Sequence, residues 1–572
     1  MKPVRLPASA TLALPRWGII SLCLLYILPG LIRRDPWKSD DAAGFGIMWT
    51  MAHGGLQDWL LPNIAGMPMP EEGPLAFWLG AIFIKLFGWL VGDPLAARIS
   101  TILFFLIGAT AVWYATYLLG RRTEAQPLKL AFGGQPAPKD YGRTLADGAL
   151  LIYLGCLGLL LRSHETSAEA LQVSLVCVAM YGAIRLFDSG SKRGAATLGV
   201  TLALLALTRG FVVPATIAAA LLIPAALADR PVLRRLLLMS CPLALLIMGA
   251  WFFVLRAWSP ESGALTMEWL EWNAGQLGAP GFHNLAYLLK YGIWFTWPAW
   301  PFALWAVYAW RHQASALHIR LPLAVLAAVI LLALVNPHSD ESILLPLLPP
   351  LAILAAFGLP TMKRSAINAV DWFSVMTLST CAIFIWVGWI AKQTGWPHQI
   401  ARNAFKLAPG FQPEFNLIAL LIASAATIAW ILLVHWRISR RPTVLWRAVV
   451  LSSGGVILCW LLLMTLWLPW LNYGKSYAGV AQQIAGKLPK GGYCVDSNVG
   501  PAQRASFAYF GRVAFSRPGQ ESCRYLLLQD SLSKRNSRQL LQQHEGEWKL
   551  LWEGRRPSDR DERFRLYQRG SR

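Results

Sequence analysis

Two pairs of carboxylates lie close together near the start of the chain. Asp40 and Asp41 stand immediately after the first long apolar stretch, and Glu71 and Glu72 sit in the turn Pro68-Met69-Pro70-Glu71-Glu72-Gly73-Pro74. Phe45, Met48, Trp49 and Ala52 follow Asp40 and Asp41 at helical spacing, so the first pair reads as the N-terminal cap of a helix lying on a membrane. A carboxylate held at such a place can also take a proton from a hydroxyl within hydrogen-bond reach. Further along, Arg209 ends an apolar segment, Glu165 and Glu169 flank another, and His283, His338, Asp340 and Glu341 fall between apolar runs.

These residues need elements to hold them, and composition says which kind. The chain has 572 residues, 55% of them hydrophobic and 14% charged, with a mean hydropathy of +0.44. Soluble domains carry about 25% charged residues. Long apolar runs and 28 Trp fit a protein embedded in a membrane, with Trp favoured at its interfaces. The net charge of +22 does not point to nucleic acid, because the basic residues form short clusters between apolar runs rather than a face on a soluble domain. Cys23, Cys156, Cys177, Cys241, Cys381 and Cys459 lie in apolar segments and read as small hydrophobes. Cys494 and Cys523 lie in the polar C-terminal region, where a disulfide is open to them if that region is extracytoplasmic.

The basic clusters set the topology. Arg121–Arg143, Lys192–Arg193, Arg230–Arg235, Lys363–Arg364 and Arg437–Arg447 are assigned to the cytoplasm, together with the N-terminus. Trp17–Ile32 becomes an uncleaved first crossing, since no small-x-small cleavage site follows it. Leu95–Leu119 is the return crossing, and Pro74–Val91 is laid along the outer surface as an amphipathic helix. The rest alternates to about thirteen crossings, with the C-terminus outside. The acidic residues then gather on the outer side, from Asp35, Asp40, Asp41, Asp58, Glu71 and Glu72 to Asp340 and Glu341, which makes an acidic outer face the expected active site.

From about residue 473 onward the apolar runs shorten. Tyr493–Val495, Val513–Phe515, Tyr525–Leu528, Lys549–Trp552 and Phe564–Tyr567 read as short strands, and Ala502–Phe510 and Arg535–His544 as helices. The expected organisation is an all-α polytopic membrane bundle over residues 1–472, with a first outer loop at 33–94, followed by a small α/β domain over 473–572.

The motifs of the first outer loop resemble a known family. An acidic pair after the first crossing is followed by Leu61-Pro62-Asn63-x-x-Gly66 and then by Glu71-x-x-Pro74-Leu75-x-x-Trp78-Leu79. Ala97-Arg98, Ala206-Leu207-Thr208-Arg209-Gly210, Trp297–Trp305 with Pro298 and Pro301, and Leu345-Pro346-Leu347-Leu348-Pro349-Pro350 come next, in order. This series resembles the GT-C membrane glycosyltransferases, in particular the bacterial aminoarabinose transferases of lipid A and the protein O-mannosyltransferase superfamily.

The resemblance implies a bundle of about thirteen helices with a periplasmic domain, in agreement with the charge-based topology. It implies a donor sugar carried on undecaprenyl or another polyprenyl phosphate, an acceptor that is a lipid, a glycan or a protein, and a monomer in the bacterial inner membrane. No Gly-rich nucleotide loop is present, so no nucleotide cofactor is expected. By the same resemblance Asp40 is the general base on the acceptor hydroxyl, or orients it, with Asp41 as its chemically similar neighbour. Glu71 positions the acceptor or joins His283 at one divalent metal ion. Arg209 binds the donor phosphate as the leaving group, and Glu169 and His338 are accessory to the acceptor.

Two departures stand out. Where the family often has Lys-Pro-Pro after the second carboxylate, this chain has Glu72-Gly73-Pro74, so Lys85 or Arg98 must supply the missing phosphate contact. Ser342 or Ile343 replaces a tyrosine near the late Leu-Pro segment. Both changes fall on expected donor contacts, which leaves the sugar open. An oligosaccharide ligase, or a lipid or solute transporter, would also use a polytopic bundle. No internal repeat supports the transporter, and the charges cluster in loops rather than mid-span.

Overall fold

The structure is a computed structural model that describes residues 4–228, 230–259, 262–338, 340–440, 444–517, 523–531, 548–559 and 561–570. Eight of its helical segments are long and apolar enough to cross a membrane: Asp93–Gly120, Ala168–Ser189, Arg230–Trp258, Leu317–Val335, Glu341–Thr361, Arg364–Thr394, Leu417–Ser439 and Arg447–Leu466. Arg16–Ile27, Val212–Ala226 and Ala299–Ala309 are shorter apolar helices. Pro138–Gly155 and Lys192–Arg209 complete the bundle. The chain is a multi-pass membrane protein.

Solvation separates two kinds of helix. Ala168–Ser189 and Arg447–Leu466 are largely buried in the bundle, whereas Arg230–Trp258, Arg364–Thr394 and Leu417–Ser439 are apolar yet mostly exposed. A helix that is apolar all round and open to its surroundings requires lipid against it. The Leu75–Val91 helix, expected to be amphipathic, follows the same rule. It buries Ala76, Phe77, Gly80, Ala81 and Ile84 on one face. Its other face exposes Ile82, Leu86, Trp89 and Leu90. The outer face is therefore itself apolar and suited to lipid rather than water. The first crossing is shorter than expected: it stops at Ile27, ahead of Pro29 and of Gly30 at φ +84°, a pair that cannot continue a helix.

The first outer loop carries the Asp40–His53 helix and a small hairpin, β1 Asn63–Ile64 against β2 Met67–Pro68. Ala65 and Gly66 form its tip, both at positive φ. The Leu-Pro-Asn-x-x-Gly motif is thus a turn signature, in which the Asn63 side chain accepts from the Gly66 N–H at 3.1 Å.

The C-terminal region forms a four-stranded sheet in the order β3-β4-β6-β5, from β3 Val495–Ser497, β4 Tyr525–Ser531, β5 Trp548–Gly554 and β6 Glu562–Arg569. β3 pairs parallel to β4, and the other pairs are antiparallel. Val513–Phe515, expected as a strand, makes a single bridge from Phe515 to Val495. The helix expected at Arg535–His544 and the acidic Glu261 lie outside the described residues. Cys494 and Cys523 are joined as a disulfide at the edge of β3 and β4.

The Asp40–His53 helix does not lie free on a membrane. It is packed between the Leu75–Val91 helix and the Pro501–Phe510 helix of the C-terminal region. Small residues allow this. A side chain at Gly46 would meet Ala505, and one at Gly44 would meet the Thr166 carbonyl.

Candidate active site

The helix that begins at Asp40 points its first two carboxylates in different directions. Asp41 is fully buried. Its Oδ2 receives Arg34 and Arg98, each at 3.1 Å, and the Trp37 N–H at 3.1 Å. Its Oδ1 receives the Thr166 N–H and hydroxyl, each at 3.0 Å. Burial alone would raise its pKa, but Arg34, Arg98 and the two backbone N–H groups overturn that and hold it at about 2. Every acceptor position is taken, so Asp41 ties the first loop to the Glu165-Thr166 loop and has no free lone pair for a substrate.

Asp40 is about half exposed and meets Arg162 at 2.5 Å. Arg162 closes the short Leu157–Arg162 helix and also binds Glu165 at 3.0 Å and Glu341 at 3.1 Å. Burial works against its charge, but Glu165, Glu169 and Asp40 more than offset this and raise its pKa. Burial likewise pushes the Glu165 carboxyl up to about 8, with Arg162 opposing.

Asp40 opens into a cavity of about 430 Å³ that Glu71, Glu72 and Arg209 also line. Asp40 and Arg209, 169 positions apart in the chain, both reach it because two motif segments touch. The Gly73 N–H donates to the Thr208 carbonyl at 3.0 Å. A Cβ on Gly73 would come within 2.0 Å of the Leu207 carbonyl oxygen, so glycine is what permits the contact. Arg209 is ion-paired with the buried Glu169. Glu72 is half-buried, and its Oε2 is enclosed without a partner. Burial pushes this carboxyl up to about 8; Arg209 opposes, while Glu169, Glu71 and Asp40 add to the rise.

The far wall comes from the C-terminal region, through Tyr477, Gln503 and Glu562. The Tyr477 hydroxyl donates to Glu562 at 2.8 Å, and Gln503 donates to it at 3.1 Å. Arg504, next in the chain, donates to the Ile64 carbonyl at 3.0 Å and the Ala65 carbonyl at 2.8 Å, which clamps the hairpin tip to this region.

Of the sequence-derived site residues, the structure brings Asp40, Glu71 and Arg209 into one cavity, with Glu169 behind Arg209. His338 is exposed and lines a smaller adjoining cavity of about 140 Å³, to which Arg209 also contributes. Arg98 lies deeper, donating to the backbone carbonyls of Arg34 and Asp35 as well as to Asp41. Lys85 is exposed and lies over the Trp59 ring at 5.3 Å, outside the cavity. Neither lines the cavity that holds Asp40, Glu71 and Arg209. His283 is exposed on the Phe282–Tyr287 helix and does not line the cavity that holds Glu71. Among the described residues, no three His, Cys, Asp or Glu side chains are grouped closely enough to hold a metal ion.

Sequence reasoning passed over Arg162, Arg34 and Arg504. A signal existed for Arg162, because it is a basic residue in a loop assigned to the outer side, against the positive-inside trend.

No protein-family model matches this sequence, and no curated protein matches it. Solved structures do. ArnT from Cupriavidus metallidurans bound to undecaprenyl phosphate superposes with a TM-score of 0.65 at 14% identity, covering 96% of this chain and 97% of that one. The apo state of the same protein gives 0.64 at 15% identity, over the same shares of the two chains. Across nearly its whole length, then, this chain shares the fold of ArnT.

Proposed function

We propose that the chain is a membrane glycosyltransferase that moves one sugar from a polyprenyl monophosphate to an acceptor hydroxyl on the periplasmic side of the bacterial inner membrane. The observation that carries this reading is the convergence of Asp40, Glu71 and Arg209 on one cavity. The fold shared with a protein crystallised with undecaprenyl phosphate supports the choice of donor.

The roles follow from the chemistry. Asp40 accepts the proton of the acceptor hydroxyl as its oxygen attacks the anomeric carbon. The bond from that carbon to the phosphate oxygen breaks, and the polyprenyl phosphate leaves with the electron pair. Arg209 has five N–H donors, more than its bond to Glu169 uses, and the remainder stabilise the charge on the departing phosphate. Arg162 holds Asp40 in place. Glu71 orients the acceptor, with Tyr477, Gln503 and Glu562 as the opposite wall. These steps are carried by the chain's own residues. Chelation is the direct test of the ion implied at Glu71 and His283. The sugar, hexose or pentose, and the acceptor, whether lipid, glycan or protein, follow from the assay.

The test is transfer of a radiolabelled sugar from polyprenyl monophosphate carriers to a membrane extract by the purified protein. Asp40→Asn is expected to lower transfer by about 10²–10⁴-fold while the protein stays folded. Full activity of Asp40→Asn would remove the role given to Asp40. Absence of transfer from every monophosphate carrier would favour an oligosaccharide ligase or a transporter.

A further inference from the structure

A second sizeable cavity, of about 510 Å³, lies at the opposite membrane face, where Arg364–Thr394 and Arg447–Leu466 begin and Leu417–Arg440 ends. The direction is fixed by Arg447–Leu466. Its Trp460 end meets Pro29 and His164 below the Asp40 site, and its Arg447 end is about 20 Å away along the helix.

The cavity is lined by Arg364, Arg437 and Arg447, with Asp371 as the one carboxylate, so two positive charges are in excess. Asp371 is ion-paired with Arg437, whose side chain is 9% exposed. Even so, Arg437 Nε and Asp371 Oδ1 are enclosed and have no partner. A buried guanidinium with an unused donor, among further arginines, is the arrangement that recognises a phosphate.

The surroundings favour a lipid as the source of that phosphate. Trp372 lines the cavity and is 62% exposed. Met376 and Ile383, also exposed, follow it at i+4 and i+11 on the same helix, within about 40° of one another around the axis. They form an apolar stripe running from the cavity toward the membrane interior. Beside it Trp436 and Trp446 stack at 5.9 Å, and Trp446 donates to the Leu12 carbonyl, a placement typical of the water–hydrocarbon boundary.

We infer that this cavity binds the phosphodiester head group of an anionic lipid in the leaflet opposite the transfer site, with an acyl chain along Trp372, Met376 and Ile383. The site is separate from the transfer cavity and takes no part in the proposed reaction.

The experiment measures binding of fluorescent phosphatidylglycerol to the purified full-length protein, delipidated in neutral detergent. Phosphatidylcholine and inorganic phosphate serve as competitors. Phosphatidylglycerol is expected to bind at least about tenfold more tightly than phosphatidylcholine, and millimolar phosphate is expected not to displace it. Arg364→Gln combined with Arg447→Gln should weaken binding by about tenfold or more, and Asp371→Asn should tighten it. Equal binding of the two lipids would overturn the proposal, as would displacement by inorganic phosphate alone, which would mark a soluble-anion site. If the double variant proves unfolded, Asp371→Asn carries the test, and unchanged or weaker affinity in that variant would overturn the proposal.

Discussion

Asp40 and Asp41 are one peptide bond apart and have opposite fates. Asp41 satisfies two arginines, two backbone N–H groups and a hydroxyl, all away from water. Removing it leaves Arg34 and Arg98 buried without their counter-ion, which costs about 3–5 kcal/mol. Asp41→Ala is therefore expected to lower the thermal midpoint sharply, while Asp40→Asn leaves it unchanged; thermal unfolding in detergent checks both. A wild-type midpoint in Asp41→Ala would show that the arginine pair is accommodated without it. Because the folded pKa of Asp41 is depressed, its stabilisation is present above about pH 4 and is lost as pH falls through about 2. The sequence could place this pair on a helix start but could not divide the roles. That division is set by Arg34, Arg98 and Thr166, which approach from separate parts of the chain. Glu72 titrates in the other direction. Its folded pKa is raised to about 8, so it is neutral at pH 7 and charges as pH rises through 8. Once charged it competes with the donor phosphate for Arg209, beside Glu169, Glu71 and Asp40. The donor KM should rise above about pH 8, and Glu72→Gln should remove that rise. Identical KM profiles in the two proteins would exclude Glu72 as the titrating group. An inflection in kcat near the same pH would report Glu165 instead, which acts on Asp40 through Arg162.

At the scale of elements, the site depends on backbone-to-backbone contacts between segments distant in sequence. The Glu71–Pro74 turn touches the Thr208–Arg209 end of its helix through Gly73, with less room than any side chain needs. Gly73→Ala must push the two backbones apart, at a cost of about 1–3 kcal/mol. It should also lower transfer well beyond what that loss explains, by separating Glu71 from Arg209. Full activity with reduced stability would mean that the turn yields without moving the carboxylate. This contact bears on what was legible. The order of the motifs in the sequence pointed to the fold, and the charge of the loops pointed to the outer side. Neither could show that the Leu-Thr-Arg-Gly and Glu-Glu-Gly-Pro segments abut, because the spacing along the chain says nothing about where two turns meet. Likewise the Leu-Pro-Asn-x-x-Gly motif was read as part of the resemblance, whereas its work is structural. It forms a hairpin tip whose carbonyls are held by Arg504, more than 430 residues away. Lys85 illustrates the converse. Its charge made it a candidate, but its position on the exposed face of the Leu75–Val91 helix sets it over Trp59.

At the scale of the whole molecule, charge is sorted along the membrane normal. The acidic residues Asp40, Glu71, Glu165, Glu169 and Glu341 gather around one end of the bundle, where the disulfide-bonded C-terminal region closes over them. Arg364, Arg437 and Arg447 mark the other end. Under the positive-inside bias, the orientation we propose puts the acidic end in the periplasm. Nucleotide-activated sugars are confined to the cytoplasm, so an enzyme working at the acidic end has to draw its sugar from a lipid carrier, and orientation and donor class stand or fall together. The orientation can be read with a membrane-impermeant thiol reagent, because the native free cysteines lie in apolar segments that a charged reagent does not enter. Gln57→Cys, exposed in the first outer loop, should react in intact spheroplasts. Arg193→Cys, exposed at the start of its helix on the opposite side, should react only after the membrane is permeabilised. The reverse pattern would put Asp40 and Arg209 in the cytoplasm. Soluble nucleotide sugars would then be within reach, and the argument for a polyprenyl phosphate donor would lose its physical basis.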